Sequence, residues 1–443
     1  MNRYEKYKDS GITWIGEIPE HWETRRIKSF SIVKRGASPR PIDDEKYFDA
    51  EGEFAWVRIA DVSASNRYLL ATTQRLSKLG ESLSVKQYPN DIFLSIAGTV
   101  GKSIITRIKC CIHDGFVWFK GLEYNRELMS YIFDSGQPYL GLGKMGTQLN
   151  LNTDTVGNIS FPFPSPSEQA KIAEYLDWKC GEVDKIVAVR EEQIKLLGEL
   201  RTSVISRAVT KGLNPDAPLK DSGISWIGSI PAHWEVVKLK FIGKINGRVG
   251  YRGYTTDDLV RKGEGAYTIG GKHISKNILD LTDAEYISWH KYYESPEIMV
   301  KKGDIVIAQR GSLGKSALIN KEIGCATINP SLVLLNAILI NNFYLHYWLI
   351  SDITINTISL LNTATAVPMI SQNQIENMSV MSPPLAEQQA IADYLDKKTA
   401  EIDSAVAKYK EQIAKLKEYR QALITEVVTG KIDVRDVVIP KKS

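Results

Sequence analysis

A near-identical segment occurs twice in this chain of 443 residues. Residues 8–23 read KDSGITWIGEIPEHWE and residues 220–235 read KDSGISWIGSIPAHWE, an offset of 212, and only three of the sixteen positions differ. Such identity does not arise by chance, and an internal repeat constrains the fold more strongly than any local pattern. We therefore expect two related structural halves.

A second, longer repeat follows at a different offset. The segment EQAKIAEYLDWKCGEVD begins at Glu168 and EQQAIADYLDKKTAEID begins at Glu387, an offset of 219. The match continues without a gap to Thr210 and Thr429. Each half therefore consists of a short motif, a long middle and a long tail, and the second middle is longer by 219 − 212 = 7 residues.

Both tails have the pattern of long amphipathic helices. Ser167 is the predicted N-cap of the first helix, since it precedes Glu168 and the acidic first turns. Apolar residues recur at helical spacing at Val183, Val187, Ile194, Leu197, Ile205 and Ala208, and again at Ile402, Val406, Ile413, Leu416, Ile424 and Val427. A stripe this narrow favours coiled-coil packing of helix on helix over packing of each helix on its own half alone.

The two middles, residues 29–165 and 241–382, have the pattern of mixed α/β domains. Short apolar and β-branched runs are separated by Gly, Asn and Asp, which is typical of strands and turns. Strands are expected within residues 54–59, 92–96, 103–108, 116–119, 305–307, 317–319 and 331–335, and helices at 127–133 and 343–350. The predicted fold class is α+β, with domains at 1–165 and 213–382 and long-helix regions at 166–212 and 383–443.

One loop recurs in both middles. Residues 91–103 read DIFLSIAGTVGKS and residues 304–316 read DIVIAQRGSLGKS. A nucleotide-binding P-loop needs a glycine where this chain has Ile96 and Gln309, and a helix rather than a strand after it, so we reject ATP binding. Two interpretations remain open: a tight glycine hairpin with a solvent-facing lysine, or a phosphate or base contact by Lys102 and Lys315, helped by Arg310.

The repeated motif also contains a histidine and two tryptophans. His21 and His233 have no recurring Ser, Cys or paired carboxylate nearby in sequence, which favours a structural role over acid-base catalysis. The tryptophans, Trp14, Trp22, Trp226 and Trp234, are expected to be docking aromatics. Catalytic motifs such as HExxH and GxSxG and a Gly-rich cofactor turn are absent from the sequence, which is typical of a binding module that needs no cofactor.

Composition excludes several other classes of protein. The net charge of +4 allows nucleic-acid binding without demanding it. The four cysteines, Cys110, Cys111, Cys180 and Cys325, have no zinc-site spacing and are expected to be reduced. No secretory signal or bilayer-spanning run is present, so we expect a cytoplasmic protein without membrane contact.

The segments DSGIxWIGxIPxHW, EQxxIAxYLD and VTGKID, in this doubled order, resemble those of Type I restriction-modification specificity subunits over essentially the whole chain. The resemblance implies two target-recognition domains on two long antiparallel helices, each domain reading one half of a bipartite site in double-stranded DNA. It also implies two methyltransferase subunits as partners, and restriction subunits beyond them. Catalysis then lies on the partners.

Two other classes of function remain as alternatives. A coiled-coil scaffold could carry middles that bind protein without any DNA contact. A self-sufficient methyltransferase-nuclease would need a cofactor loop and nuclease carboxylates, which the sequence lacks. Salt-sensitive binding to duplex DNA distinguishes the first alternative from a DNA reader, and binding of S-adenosylmethionine by the isolated chain would favour the second.

Overall fold

Two compact units make up the chain. The computed structural model describes residues 2–142, 151–248, 250–362 and 368–440. Unit 1 is Met1–Arg190 with Lys410–Ser443, and unit 2 is Glu191–Tyr409. Both division points fall inside a long helix, so each long helix contributes one part to each unit.

The first half of the chain alternates short strands and helices before one long helix. The strands are β1 Tyr7–Asp9, β2 Glu17–Pro19, β3 Glu23–Arg26, β4 Ile32–Arg35, β5 Ala55–Val57, β6 Tyr68–Leu69, β7 Gln74–Arg75, β8 Val85–Gln87, β9 Ile92–Ser95, β10 Ser103–Thr106, β11 Cys110–Ile112, β12 Phe116–Lys120 and β13 Ser160–Phe163. The helices are α1 Ile59–Ala64, α2 Lys78–Ser82, α3 Arg126–Asp134, α4 Thr153–Gly157 and α5 Pro166–Lys211.

The second half repeats this order. Its strands are β14 Leu219–Asp221, β15 Ser229–Pro231, β16 Glu235–Lys238, β17 Lys244–Gly247, β18 Leu259–Val260, β19 Gly265–Ile269, β20 Ile274–Ser275, β21 Ile278–Leu279, β22 Glu285–Ser288, β23 Ile305–Ala308, β24 Ser316–Leu318, β25 Ala326–Ile328, β26 Leu332–Asn336 and β27 Ser379–Ser382. Its helices are α6 Trp289–Tyr293, α7 Asn342–Leu349, α8 Asp352–Leu361, α9 Gln372–Glu376 and α10 Leu385–Val428. The predicted α+β class is confirmed. Within the described residues, no helix is long and apolar enough to cross a bilayer.

Each unit contains two main sheets. In unit 1 the strand orders are β4-β12-β9-β10-β6 and β7-β5-β11-β8, and in unit 2 they are β17-β26-β23-β24 and β18-β22-β19-β25. The strands β9, β10 and β23 are buried along their whole length, which explains their continuous apolar or small-residue sequences. The predicted strands and the helices α3 and α7 are confirmed, with bounds that differ by a few residues.

The two long helices run antiparallel within each unit. In unit 1 the beginning of α5 shares a core cluster with the end of α10, as Leu176 and Ile424 illustrate. In unit 2 the end of α5 shares a cluster with the beginning of α10. Ion pairs join Asp184 to Arg420 in unit 1 and Arg201 to Asp403 in unit 2. The residue number rises by 17 along α5 from the first pair to the second and falls by 17 along α10, as antiparallel helices require. Helix-on-helix packing is therefore confirmed, and the helix ends also pack on the sheet domains.

The helix α5 begins two residues earlier than an N-cap at Ser167 would require, so that prediction is wrong. Pro166 is the first helical residue, and the amide of Glu168 donates to Ser165 Oγ at 3.3 Å. Ser165 is thus the N-cap and Pro166 occupies the first helical position, where its missing N–H costs no hydrogen bond.

The repeated motif folds as a small hairpin whose second tryptophan is fully buried. The strands β1 and β2 pair in unit 1, and β14 and β15 pair in unit 2. Trp22 and Trp234 have no exposed surface, which fits the predicted docking role. Trp226, however, is 55% exposed, although Nε1 of its indole donates to Thr357 Oγ1 at 3.0 Å.

In unit 1 the motif is held by one carboxylate on α5. Glu168 accepts hydrogen bonds from His21 Nε2 at 3.0 Å and from Trp22 Nε1 at 3.2 Å, and Tyr4 donates to the same carboxylate at 3.4 Å. Burial raises the pKa of Glu168, but the hydrogen bonds from His21, Trp22 and Ser165 outweigh burial and hold it below its ordinary value.

We expect Glu168→Ala to lower the free energy of unfolding by about 1–3 kcal/mol, because it leaves the buried indole N–H of Trp22 unpaired. The pKa of Glu168 is lower in the folded than in the unfolded state. The stabilisation by the Glu168 carboxylate is therefore present in full above the unfolded-state pKa and is lost as the pH falls through the folded-state pKa. Urea unfolding from pH 7 downward measures both effects. Glu174→Ala, an exposed site on α5, is the control, and equal losses for the two variants would contradict this role.

Candidate nucleic-acid interface

In unit 1 the ends of several strands bring three loops and the short helix α1 together. These segments, residues 36–40, 59–65, 96–102 and 113–115, are defined as the unit 1 loop face. The amide of Gly36 donates to the Phe116 carbonyl at 2.9 Å, and the amide of Ile96 donates to the Gly115 carbonyl at 2.9 Å. Ser63 Oγ and Thr99 Oγ1 lie 2.5 Å apart. Loops held on a rigid sheet scaffold are where binding residues concentrate.

Asp114 organises the basic side chains of this face. Its carboxylate pairs with Arg40 at 2.9 Å and accepts from Ser38 Oγ at 3.0 Å, while its carbonyl accepts from Arg35 Nε at 2.6 Å. Burial raises the pKa of Asp114, but Ser38 and the two arginines lower it more, so the net shift is downward. The Arg40 side chain remains 70% exposed, so its guanidinium is available to a further anion.

Unit 2 has a corresponding cluster of loops with different side chains. Residues 247–248, 270–273, 309–315, 329–331 and 368–372 are defined as the unit 2 loop face. The amide of Gln309 donates to the Ser331 carbonyl at 2.9 Å, the amide of Asn329 donates to the Ile269 carbonyl at 2.8 Å, and the amide of Gly311 donates to the Pro368 carbonyl at 3.0 Å. The exposed groups here are amides and hydroxyls as well as cations.

A buried arginine within the unit 2 loop face stabilises the backbone of that face. Arg248 is 8% exposed and donates to the Ile328 carbonyl at 3.1 Å and to Thr327 Oγ1 at 3.0 Å. Burial lowers the pKa of Arg248 from its ordinary value, although the guanidinium stays charged at pH 7. Its hydrogen bonds fix the strand end from which residues 329–331 emerge.

The recurring GKS loop is a hairpin loop in both units. Ser103 and Leu94 are paired across β9 and β10, and Ser316 and Ile307 are paired across β23 and β24. A strand follows each loop, which agrees with the rejection of a nucleotide P-loop. Gly101 has φ of +87°, and a Cβ there would lie 2.9 Å from the Tyr139 ring, so this turn requires glycine.

Lys102 lies on the unit 1 loop face, but its ammonium group is already hydrogen-bonded within the chain. Its Nζ donates to the Ser65 carbonyl at 2.5 Å and to the Ser63 carbonyl at 3.2 Å, at the C-terminal end of α1. A cation at that end of a helix satisfies free carbonyls and complements the helix dipole. A contact between Lys102 and DNA stays a prediction, and the structure adds an intramolecular role that the sequence did not indicate.

Lys315 and Arg310 lie together on the unit 2 loop face. Both side chains are exposed, and neither is hydrogen-bonded or ion-paired within the described part of the chain. Their backbones are fixed: Arg310 forms an isolated bridge with Met369, and the Lys315 carbonyl accepts from the Ala308 amide at 2.8 Å. Unpaired cations on a fixed backbone are suited to phosphate contacts.

The sequence analysis missed Arg40, Asp114 and Arg248. Basic residues occur at or just after the end of β4 in the first half and of β17 in the second, namely Arg35, Arg40, Arg248 and Arg252. That recurrence is a usable signal. Their contacts join residues 74 to 80 positions apart, which no local pattern reveals.

Comparison with known proteins defines the class of this chain. The sequence model of the Type I restriction modification DNA specificity domain matches twice, over residues 19–195 and 231–415. Both units therefore carry a domain of a DNA-specificity protein. Since the matches cover most of the chain, the chain belongs to the family of Type I restriction-modification specificity subunits. As such a subunit it is the non-catalytic DNA-recognition component of the enzyme.

Individual relatives and solved structures are similar over nearly the full length. The putative MjaX specificity subunit of Methanocaldococcus jannaschii is 25% identical, covering 97% of this chain and 98% of the relative. The MjaVIII specificity subunit of the same organism is 27% identical over 95% of each chain. A solved chain from a study of assembly and conformational transition of the type I R-M system has a TM-score of 0.71 at 18% identity, covering 94% of this chain and 99% of that chain, and this shows a shared fold.

We predict that Lys102→Ala lowers the free energy of unfolding by about 1 kcal/mol, because it removes charged hydrogen bonds to two carbonyls. The matched variant Lys315→Ala should change it by no more than about 0.5 kcal/mol, as is usual for an exposed side chain. Urea unfolding of the full chain measures both values. Equal stability of the two variants would show that the Lys102 contacts contribute nothing.

Proposed function

We propose that each unit of this specificity subunit reads one half of a bipartite sequence in double-stranded DNA through its loop face. The observation that carries the proposal is the duplication itself, in which equivalent strand ends present different side chains. At corresponding positions unit 1 has His113, Asp114 and Gly115, and unit 2 has Asn329, Pro330 and Ser331. Different groups on the same scaffold are suited to two different half-sites.

The chemistry of each loop face supports this division. Base pairs are fully distinguished only in the major groove, by patterns of donors and acceptors that amides, hydroxyls and guanidinium groups can read. Exposed cations such as Arg40, Arg310 and Lys315 fit phosphates, which position the protein without specifying sequence. A phosphate contact by Lys102 requires that its Nζ leave the Ser63 and Ser65 carbonyls at the end of α1.

The partners in this proposal are two methyltransferase subunits, with restriction subunits bound in the larger complex, in the cytoplasm. The support is family membership together with the solved relative, which comes from a study of the assembly of a type I R-M system. Methyl transfer and DNA cleavage then occur on those partners. This chain selects the DNA sequence on which those partners act.

Mapping methylated adenines genome-wide in cells with and without this chain tests the proposal. We expect one bipartite motif to lose methylation when the chain is deleted and to regain it when the chain is restored. An unchanged methylation pattern, combined with no salt-sensitive binding of duplex DNA by the assembled complex, would favour the coiled-coil scaffold instead.

Replacing residues 29–165 with the corresponding residues of a related specificity subunit should change one half of the methylated motif and leave the other half intact. The reason is that this segment contains the whole unit 1 loop face and none of the unit 2 loop face. The reciprocal exchange of residues 241–382 is the control and should change the other half. Simultaneous change of both halves by either exchange would refute one-domain, one-half-site reading.

Arg310→Ala and Lys315→Ala should each weaken DNA binding by the assembled complex to a similar extent on cognate and scrambled duplexes. Because a phosphate contact releases counterions, the slope of log K against log salt should fall by about one unit per cation removed. Lys302→Ala, at the opposite end of β23, is the exposed control. A loss restricted to one base position, costing ~1–3 kcal/mol, would instead identify a base contact.

A further inference from the structure

The two units share a polar cluster beside the helix pair, with one difference. Asp177 and Asp184 of unit 1 correspond to Asp396 and Asp403 of unit 2 at the offset of 219, and Arg201 corresponds to Arg420. A tyrosine from the helix that packs there, Tyr131 on α3 or Tyr347 on α7, donates to the first aspartate in each unit. The O–O distances are 2.9 Å and 2.7 Å. The equivalent contacts establish equivalent sites.

In unit 1 an arginine fills this site. The Arg67 guanidinium lies 3.6 Å from the centroid of the Tyr131 ring, and its Nη1 pairs with Asp177. Only 12% of the Arg67 side chain is exposed. A planar guanidinium that stacks on an aromatic face while donating to a carboxylate combines the two interactions to which arginine is best suited.

In unit 2 the arginine is missing and a cleft is open. Arg67 directly precedes β6, and Asn277 stands at the matching place directly before β21. A cleft of about 690 Å³ is lined there by Asn277, Tyr347, Asp396, Thr399 and His346 among others. We call it the unit 2 cleft. It contains the tyrosine and the aspartate, but among the described residues Asn277, and not an arginine, stands at the place of Arg67.

We propose that the unit 2 cleft binds the guanidinium group of an arginine side chain from a partner protein, stacked on Tyr347 and paired with Asp396. Unit 1 is the template for this site, because the same tyrosine and aspartate bind Arg67 within the chain. Lysine fits less well, since an ammonium group cannot stack as a plane or donate in a fork. The inference goes beyond DNA recognition, since it concerns a protein contact.

The other charged groups around the unit 2 cleft are compatible with a guanidinium. Arg201 is already paired with Asp403, as Arg420 is with Asp184 in unit 1, where that pair coexists with Arg67. Lys276, Asp280 and Lys321 also line the cleft. Asp396 has no cation partner within the described residues, and it accepts a hydrogen bond from the Tyr347 hydroxyl.

His346 contributes a neutral ring to the wall of the cleft. Its Nδ1 has no hydrogen-bond partner among the described residues, and the side chain lines the cleft. Burial, with a smaller effect from Arg201, lowers the pKa of His346 to about 4, so the imidazole is neutral at pH 7 and does not repel a cation. The Tyr347 hydroxyl also lies 3.1 Å from Thr399 Oγ1. This hydrogen bond fixes the orientation of the ring on which a guanidinium would stack.

The test uses N-acetyl-arginine methylamide as the probe and the full-length chain, with binding measured by calorimetry or NMR. We expect saturable binding at one site, with N-acetyl-lysine methylamide at least about tenfold weaker. Asp396→Asn should weaken probe binding about tenfold or more, because it removes the charge that pairs with the guanidinium. Absence of saturable binding by a folded wild-type chain would overturn the proposal.

Filling or opening the sites provides the matched controls. Asn277→Arg, or Ile278→Arg at a neighbouring exposed position that needs no left-handed backbone, should supply an internal guanidinium and abolish probe binding. Arg67→Ala should open the unit 1 site and raise the stoichiometry from one to two. Undiminished binding to both arginine variants, each verified as folded by thermal unfolding, would place the probe elsewhere and contradict the assignment.

A competition experiment identifies the source of the guanidinium. We expect the partner methyltransferase or restriction subunits to displace the probe from the wild-type chain, and duplex DNA alone to leave it bound. Displacement by DNA but by no protein partner would overturn the assignment to a protein arginine. This outcome is distinct from failure of the proposed function, which is measured by adenine methylation and does not involve the probe.

Discussion

A carboxylate in the first turn of each long helix anchors the repeated motif, and the rest of each unit is built around that contact. Glu168 accepts from His21 and Trp22 in unit 1, and Glu387 accepts from His233 at 2.8 Å in unit 2. The helix N-terminus adds its own partial positive charge to the stabilisation of each carboxylate. Because the end of the other long helix packs against the same tryptophan, one contact fixes motif, helix start and helix end together.

Glycines at the ends of the long helices make this junction possible. Gly430 follows α10 with φ of +70°, and a Cβ there would lie 2.4 Å from Pro19 and 3.0 Å from the Trp22 ring. Gly212 follows α5 with the same φ, and a Cβ would lie 3.1 Å from Trp234. Thus the left-handed helix end and the close approach to tryptophan both require glycine. The GKS loops use glycine in the same way to support different loop faces.

The sequence predicted the features that depend on periodicity and repetition, and missed those that depend on distant contacts. The two ends of the stripe, such as Val183 and Ile205, are buried as expected, while Ile194 and Leu197 at its centre are half-buried, and the strands around the GKS loops are in place. The Ser167 prediction was wrong because Ser165 and Pro166 offered a better helix start two residues earlier. Tertiary packing, which composition and spacing do not encode, buries Trp22 and leaves Trp226 exposed. It also places the Ser63 and Ser65 carbonyls where Lys102 donates hydrogen bonds to them.

Divergence between the units is informative because the shared framework is so similar. Residues that hold motif to helix or helix to helix recur in matching pairs, such as Asp184–Arg420 and Asp403–Arg201. The loop faces differ, as the proposed reading of two different half-sites requires. Arg67 belongs to neither group, since it lies beside the helix pair yet has no counterpart in unit 2. Because the Asp396 carboxylate is exposed, it needs no internal cation to be stable, and with the Tyr347 hydroxyl that donates to it, it remains accessible to an external guanidinium.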